Sequence, residues 1–196
     1  MNHKSMDEYQ YELRIPHDRI AVLIGKDGET KLELEKETNT KLVIDSKEGD
    51  VFIQGEDALG LFVCREVVRA ISRGFNPDIA KLLLKQDYAF EIVSLAIAAG
   101  KSKNALLRLK GRVIGSEGKA RTTIEELTEC HISVYGKTIG VIGEVTKVPL
   151  ARMAIEMLVK GATHASVFRI LEKKRRDLKR MEFLGPEDIL KDKQAK

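Results

Sequence analysis

The chain has 196 residues, of which 43% are hydrophobic and 33% are charged, as expected for a soluble protein with one large domain or two small ones. The longest nearly apolar stretch, residues 89–99, contains Glu91 and is about half as long as a membrane-spanning helix, which argues against an integral membrane protein. The polar N-terminus lacks the apolar region of a signal peptide, so we expect a cytoplasmic location.

The formal net charge of +4 is unevenly distributed along the chain. Residues 1–75 carry 11 Lys or Arg and 15 Asp or Glu, so their net charge is 11 − 15 = −4. Residues 101–180 carry 18 against 8, a net charge of 18 − 8 = +10. This asymmetry indicates that the second half binds a polyanion. The alternative is a solvated surface of uneven composition.

The spacing of apolar residues predicts the order β-α-α-β-β-α for residues 9–71. The predicted elements are a strand at 9–15, helices at 17–24 and 29–39, strands at 41–45 and 51–54, and a helix that begins after Asp57. Asn76-Pro77 is a helix-start signal, and residues 79–99 are predicted to form two short helices.

The same six-element order is predicted again for residues 105–159, with elements at 105–110, 113–114, 119–128, 131–135, 138–142 and 146–159. The first of these is expected to be a strand. A basic helix is predicted over His164–Arg180, with seven basic and two acidic residues, and residues 185–196 are expected to fray.

An internal repeat relates the two halves of the chain. The two segments are IAVLIGKDGETKLELEKETNTKLVI at 20–44 and KGRVIGSEGKARTTIEELTECHISV at 110–134. Shifted by 90 positions, Ile24-Gly25 aligns with Ile114-Gly115, and Gly28 aligns with Gly118. A single Gly-x-x-Gly occurs by chance in many proteins. Two copies with matching apolar spacing on both sides indicate a duplicated module.

Both segments resemble the signature of the type I KH domain, an Ile-Gly-x-x-Gly loop followed by a helix and a strand. The resemblance implies an α+β fold of two type I KH domains (β-α-α-β-β-α), each a three-stranded antiparallel sheet with helices packed on one face. The expected limits are a first KH domain at 8–75, a helical linker at 76–103, a second KH domain at 104–163, and a basic C-terminal helix and tail at 164–196. The Gly74-Phe75-Asn76-Pro77 joint and the basic tail further resemble archaeal members of the partner-of-Nob family, which assist maturation of the small ribosomal subunit.

Glycines let a backbone approach nucleic acid closely, and a helix N-terminus favours phosphate. KH modules hold about four nucleotides in this way, with the bases in an apolar groove. The predicted RNA-binding residues of the first copy are Gly25, Lys26, Asp27, Gly28 and Lys31. Those of the second copy are Gly115, Ser116, Glu117 and Gly118 in the loop, Lys119 and Arg121 for phosphates, Val113, Ile114 and Ile132 for the groove, and Arg108, Lys110 and Arg112 for the rim.

Lys173, Lys174, Arg175 and Arg176 form the densest basic run, which we expect to add a phosphate-contacting surface. For each apolar residue the alternative is core packing, and for the basic run it is a solvated helix face. Asp27 and Glu117 bring negative charge close to the expected phosphate. Because the helix after Gly28 is rich in Glu, the second domain is expected to bind RNA more tightly.

The resemblance implies a protein that binds single-stranded ribosomal RNA near the 3′ end of the small-subunit RNA. Its expected partners are the Nob endonuclease and the alpha subunit of initiation factor two. Catalysis, a cofactor and a metal site are not expected, because the four His are scattered and Gly100-Lys101-Ser102 lacks the upstream glycine of a P-loop. Cys64 and Cys130 are predicted to be small core residues. The alternatives are a KH protein acting on messenger RNA, the exosome or single-stranded DNA, and a protein-interaction scaffold with degenerate clamps.

Overall fold

Residues 9–183, which the computed structural model describes, form a mixed α and β structure with two antiparallel three-stranded sheets. The strands are β1 (Tyr9–Arg14), β2 (Lys41–Asp45), β3 (Asp50–Gly55), β4 (Tyr88–Ser94), β5 (His131–Tyr135) and β6 (Thr138–Glu144). The helices are α1 (His17–Ile24), α2 (Glu29–Thr38), α3 (Ala58–Ser72), α4 (Pro77–Ala80), α5 (Ala96–Ala99), α6 (Lys103–Ile114), α7 (Lys119–Thr128), α8 (Val148–Val159) and α9 (His164–Phe183). Within the described range, no helix is both long and apolar enough to cross a membrane.

The described residues divide into two compact units. The first unit contains residues 9–94 and 131–145, and therefore holds both sheets. The second unit contains residues 95–130 and 146–183, and therefore holds α5 to α9.

In the first unit, the order of the first sheet is β1-β3-β2, so β2 lies at an edge. Period-two alternation along the strands buries Leu42, Val51 and Ile53. Helices α2 and α3 pack against this sheet, where their buried Leu34 and Leu61 join the same core cluster. Each such Leu contributes about 1.5–3 kcal/mol to stability when it is removed from water. The expected β-α-α-β-β-α order of the first copy is confirmed.

Helix α3 begins where the sequence predicts, because Asp57 caps it. The Asp57 carboxylate accepts hydrogen bonds from the backbone N–H groups of Leu59 at 3.3 Å and Gly60 at 2.7 Å. These bonds satisfy two donors that have no partner within the helix.

The second sheet has the order β4-β6-β5 and corrects the prediction for two segments. Residues 79–99, predicted to be two short helices, contain β4, which pairs along its whole length with β6. A short apolar run does not distinguish a strand from a buried helix by periodicity, and pairing with β6 decides the outcome. Residues 105–110, predicted to be a strand, lie within α6, whose N-terminus is capped by Ser102 and whose Ala, Leu, Arg and Lys residues are good helix formers.

The predicted joint after α3 is buried within the first unit. Gly74 has a φ of +93°, and a Cβ at this position would lie 2.7 Å from Ser133 Oγ and 3.0 Å from Tyr135 Cβ, both on β5. The ring of Phe75 is buried and meets the Phe90 ring edge-on at 5.9 Å between centroids. The joint is therefore packed against the second sheet and is not a flexible linker.

In the second unit, α9 packs against α7 and α8 through the fully buried Val167 and Leu171. The predicted basic helix is confirmed over its described length. The tail predicted for residues 185–196 lies outside the described residues.

Candidate nucleic-acid interface

The two Gly-x-x-Gly loops have nearly the same backbone conformation. The first glycines, Gly25 and Gly115, have φ values of 76° and 73°, and the last glycines, Gly28 and Gly118, have values of 83° and 80°. Each loop is a tight turn between two helices, in which the N–H of the last glycine donates a hydrogen bond to the carbonyl of the first glycine at 3.4 Å. Two segments of different sequence therefore close the same turn, which indicates that the glycines and the flanking apolar residues determine the conformation.

The first glycine of each loop packs against the following helix. A Cβ added at Gly115 would lie 2.6 Å from Ala120 Cβ and 2.8 Å from Ala120 N, and a Cβ at Gly25 would collide with Thr30 in the same way. Real side chains do not tolerate such distances. The first glycine is therefore required for the close approach of the loop to its helix.

The last glycine of each loop faces open space. A Cβ at Gly118 would have no heavy atom within 4 Å, and one at Gly28 would meet only Leu32 Cδ1 at 4.0 Å. Since these glycines immediately precede helices α7 and α2, a ligand here would meet a helix N-terminus at close range. Such a position is suited to an anion, because the first N–H groups of a helix have no partner within the helix and the helix dipole is positive at this end.

The middle of each loop carries an acidic residue with a positive φ, 52° at Asp27 and 54° at Glu117. In the second loop, the Glu117 carboxylate lies 3.2 Å from Lys119 Nζ, and both side chains are more than three-quarters exposed. An exposed pair of this kind is weak, so either group is available to a ligand. At the position of Lys119, the first copy has Glu29.

The third residue after each loop is basic and is also paired along its helix. Lys31 Nζ lies 3.9 Å from the Glu35 carboxylate, and Arg121 Nε lies 3.6 Å from that of Glu125. The first turn of α7 thus carries Lys119 and Arg121, whereas the first turn of α2 carries Glu29 and Lys31. The two Gly-x-x-Gly loops, each with the first turn of the helix that follows it, are called the clamps below. They share a backbone conformation but differ in the charge next to the expected phosphate position.

An exposed apolar side chain lies beside the first loop. Leu32 on α2 is 61% exposed, whereas Leu34, two residues further along the same helix, is buried. Residues two apart on a helix point about 200° apart, so only one of them faces the core, a signal that was present in the sequence. Leu32 is therefore an additional candidate for contact with a base.

The apolar groove predicted for the second copy is only partly accessible. Val113 and Ile132 are buried, with exposures of 0% and 5%, so core packing describes both side chains in this structure. Ile114 is half-buried and directly precedes Gly115. Of the three predicted groove residues, Ile114 has the most accessible side chain.

Arg112 has a different role from the predicted rim. Its Nε donates to Leu158 O at 2.9 Å and its Nη2 donates to Ala162 O at 2.6 Å, so the guanidinium binds carbonyls at the C-terminal end of α8. The backbone carbonyl of Arg112 accepts a hydrogen bond from His164 Nε2 at 2.7 Å. Arg112 thus joins α6 to the end of α8 and the start of α9. Of the other rim candidates, Arg108 is exposed and Lys110 is half-buried.

The basic run on α9 is divided between two faces. Arg175 Nη2 lies 3.8 Å from a carboxylate oxygen of Glu129, the residue that follows α7. Lys147 Nζ donates to the other oxygen of Glu129 at 2.6 Å, and this hydrogen bond, with the positive charges nearby, lowers the pKa of Glu129 from its ordinary value. Lys173, Lys174 and Arg176 are exposed.

Within the described part of the chain, the two cysteines are a further candidate for chemistry. Cys64 and Cys130 are buried, as predicted for core residues, and burial raises the pKa of the Cys64 thiol. Among residues 9–183, no three His, Cys, Asp or Glu side chains form a group that could hold a metal ion.

Two family models match the chain, and each covers one Gly-x-x-Gly loop. The model for a KH domain matches residues 10–70. The model for the second KH domain of PNO1, described as a eukaryotic type KH domain of type I, matches residues 89–176. The second match begins within β4.

Relatives are found among curated proteins. A KH domain-containing protein of Methanocaldococcus jannaschii is 47% identical over 175 residues, which cover 87% of this chain and 76% of the relative. The pre-rRNA-processing protein PNO1 of Chaetomium thermophilum is 32% identical over 110 residues, covering 54% of this chain and 42% of that protein. The match therefore spans less than half the length of this fungal relative.

A solved structure also matches over most of the chain. The Dim2p chain in the a/eIF2alpha-aDim2p-rRNA complex of Pyrococcus horikoshii has 43% sequence identity and a TM-score of 0.82, and the match covers 89% of this chain and 98% of that one.

Proposed function

We propose a function from the premise that this chain belongs to the PNO1/Dim2 family of proteins with two KH domains. The proposed function is binding of single-stranded RNA through the two Gly-x-x-Gly loops during maturation of ribosomal RNA, near the 3′ end of the small-subunit RNA. One observation carries it: both loops hold a glycine with open space beside it at the N-terminus of a helix.

In this proposal the Gly115–Gly118 loop is the principal clamp. Ser116 and the last glycine approach the RNA backbone, while Lys119 and Arg121 contact phosphates at the start of α7. Ile114 contacts a base, and Arg108 and Lys110 line the rim. Lys26 and Lys31 take the corresponding roles at the Gly25–Gly28 loop.

Val113, Ile132 and Arg112 are assigned a supporting role. The first two are buried, and the Arg112 guanidinium is bound to carbonyls of the chain itself. These residues position α6 and the second sheet and need not touch RNA.

The proposed partners are small-subunit ribosomal RNA, the alpha subunit of initiation factor two and the Nob endonuclease. A relative in the family forms a complex named for a/eIF2alpha and rRNA, and another is named as a pre-rRNA-processing protein. We assign this chain the same binding role, without catalysis and in the cytoplasm. We also propose that the second KH domain begins at β4, because β4 completes the sheet that contains β5 and β6.

The test compares Gly118→Asp with Gly118→Asn on a five-nucleotide single-stranded RNA. Asn tolerates a positive φ and has nearly the same shape as Asp, so the pair differs mainly in one negative charge placed where the phosphate is expected. We expect Gly118→Asp to bind at least about tenfold more weakly than Gly118→Asn, which corresponds to about 1.4 kcal/mol. Fluorescence anisotropy measures both affinities, and equal affinities would refute the proposed clamp.

A second experiment addresses the RNA target. Crosslinking of the full chain to RNA in cells, followed by mapping of the contacts, is expected to enrich the 3′ end of the small-subunit RNA. Contacts scattered over messenger RNA would instead favour the alternative KH function.

A further inference from the structure

We propose that α9 is a second RNA-contacting element, in which Arg169, Lys173 and Arg176 form a basic row. The row binds backbone phosphates of RNA that continues beyond the nucleotides held at the Gly115–Gly118 loop. This inference rests on the proposed function, because it concerns the same RNA.

The orientation of α9 is set by contacts on one side of the helix. Val167 and Leu171 are buried against the rest of the second unit, with exposures of 0% and 1%. The His164 ring donates to the Arg112 carbonyl at the start of α9, and Arg175 pairs with Glu129 about three turns further along. These contacts determine which residues of α9 face outward.

The outward side carries the basic row. Arg169, Lys173 and Arg176 follow the spacing i, i+4, i+7, which places them on one face of the helix, and all three side chains are exposed. This face is centred about 180° from the buried face of Val167 and Leu171. Residues 169–180 hold seven basic and two acidic residues, a net charge of 7 − 2 = +5, so this part of α9 remains basic although Glu172 and Asp177 flank the row.

The row leads away from the clamp. His164, the first residue of α9, is hydrogen-bonded to the carbonyl of Arg112, which lies three residues before Gly115. Arg175, further along α9, pairs with Glu129 at the opposite end of α7. Since α7 has ten residues and starts directly after the loop, its two ends are about 15 Å apart. Helix α9 therefore runs alongside α7 from the loop end to the far end. A KH clamp holds about four nucleotides, so only longer RNA reaches along this distance.

RNA fits the row better than an acidic protein does. The phosphate chain is a regular line of negative charges that needs no particular surface shape, and the outward face of α9 offers regularly spaced cations. The four side chains of the predicted basic run are thus divided: Lys173 and Arg176 belong to the row, Arg175 pairs with Glu129, and Lys174 is exposed but lies off the face of the row.

The test removes the row by the triple change Arg169→Gln, Lys173→Gln and Arg176→Gln. Gln retains helix propensity, and the changed positions are exposed, so the fold is expected to persist. Three probes share one five-nucleotide core: the core alone, a fifteen-nucleotide single strand, and the core joined to a hairpin stem. Affinity is measured by fluorescence anisotropy over a range of salt concentrations.

We expect the triple variant to bind the core alone as the unmodified protein does, and to bind at least one of the longer probes more weakly. The slope of log affinity against log salt for that probe should fall in magnitude by about 2 to 3, since each lost phosphate contact removes about 0.7 to 0.9. Loss on the fifteen-nucleotide strand identifies single-stranded RNA as the occupant, and loss on the hairpin probe identifies a duplex.

A matched control removes the same charge elsewhere in the second unit, by Lys101→Gln, Lys103→Gln and Lys160→Gln. All three side chains are exposed, and Lys101 and Lys103 lie just before and at the N-terminus of α6, the end of that helix far from the loop. The slope of log affinity against log salt is expected to change little in this control. An equal fall in the control would mean that net charge alone causes the effect, which would overturn the proposal.

An unchanged slope in the row variant would also overturn the proposal, and the row would then bind another polyanion such as an acidic protein. Equal weakening on the core alone would assign the row to the clamp itself and refute a separate element. A failure of the proposed function is distinguished from these outcomes, because Gly118→Asp and Gly118→Asn would then bind the five-nucleotide core with equal affinity.

Discussion

At the scale of single residues, the two glycines of each loop have different physical roles although they are the same residue type in the motif. Gly115 is enclosed by the start of α7, whereas Gly118 has open space where a side chain would be. Both have a positive φ, which costs an ordinary residue roughly 1–2 kcal/mol. Substitutions at the two positions should therefore separate folding from binding.

We predict that Gly115→Ala destabilises the protein more than Gly118→Ala. The new methyl group at position 115 would overlap Ala120, so the loop must move away from the helix in addition to bearing the cost of its positive φ. At position 118 only the φ cost of roughly 1–2 kcal/mol applies. Urea unfolding monitored by circular dichroism measures both free energies of unfolding, and equal losses would contradict the packing role of the first glycine.

At the scale of elements, an arginine in each copy fastens the helix before the loop to the end of the last helix of its copy. Arg19 donates to the carbonyls of Ile71 and Phe75, as Arg112 does to those of Leu158 and Ala162. The two arginines do not align at the 90-residue shift, since Leu109 lies opposite Arg19. Sequence comparison of the copies could not have paired them, because the equivalence is in the bonds and not in the positions.

The Glu129 carboxylate pairs with Lys147 and with Arg175 of α9, and these ion pairs predict that stability depends on pH. The pKa of Glu129 is lowered in the folded protein, first by the hydrogen bond from Lys147, so ionised Glu129 stabilises the fold. That contribution is fully present above its ordinary pKa of 4.5 and is lost as the pH falls through the lowered value. We expect Glu129→Gln to lower the melting temperature at pH 7, with a difference from the unmodified protein that shrinks below pH 4.5.

The control for Glu129 is the same substitution in a Lys147→Gln background. With the principal partner removed, Glu129→Gln should change the melting temperature less at pH 7 and show a weaker dependence on pH. Differential scanning calorimetry from pH 7 to pH 3 measures all four proteins. An undiminished effect in the Lys147→Gln background would argue against this ion pair.

At the scale of the whole molecule, one backbone motif is used twice in opposite electrostatic settings. Residues 1–75 have a net charge of −4 and residues 101–180 one of +10. At corresponding positions directly after the loops, the first copy has Glu29 and the second has Lys119. Because phosphate binding depends on charge as well as on the turn, the two copies are expected to differ in affinity while sharing a fold.

We predict that Gly118→Asp weakens binding of single-stranded RNA more than Gly28→Asp does, because the second clamp provides most of the affinity. Gly28→Asn and Gly118→Asn serve as uncharged controls, and filter binding at fixed salt measures all four variants. Equal losses of RNA affinity at the two positions would mean that the charge difference does not make the second clamp the stronger binding site.

The features that the sequence alone determined are local ones. The repeated Ile-Gly-x-x-Gly, the helical spacing of α3 and the Asp57 and Asn76 caps each depend on residues close together in the chain, and each predicted element was found where its signals lie. The charge difference between the halves was likewise readable from composition.

Tertiary structure decided what depends on partners distant in sequence. Residues 88–94 form a strand because they pair with β6. The Arg112 guanidinium binds the chain itself because the carbonyls at the end of α8 lie within hydrogen-bond distance. The division of the α9 basic run followed in the same way from Glu129. Periodicity and motifs report what a segment can form, whereas burial, pairing and charge compensation depend on which surface lies opposite, and that is determined only when the chain folds.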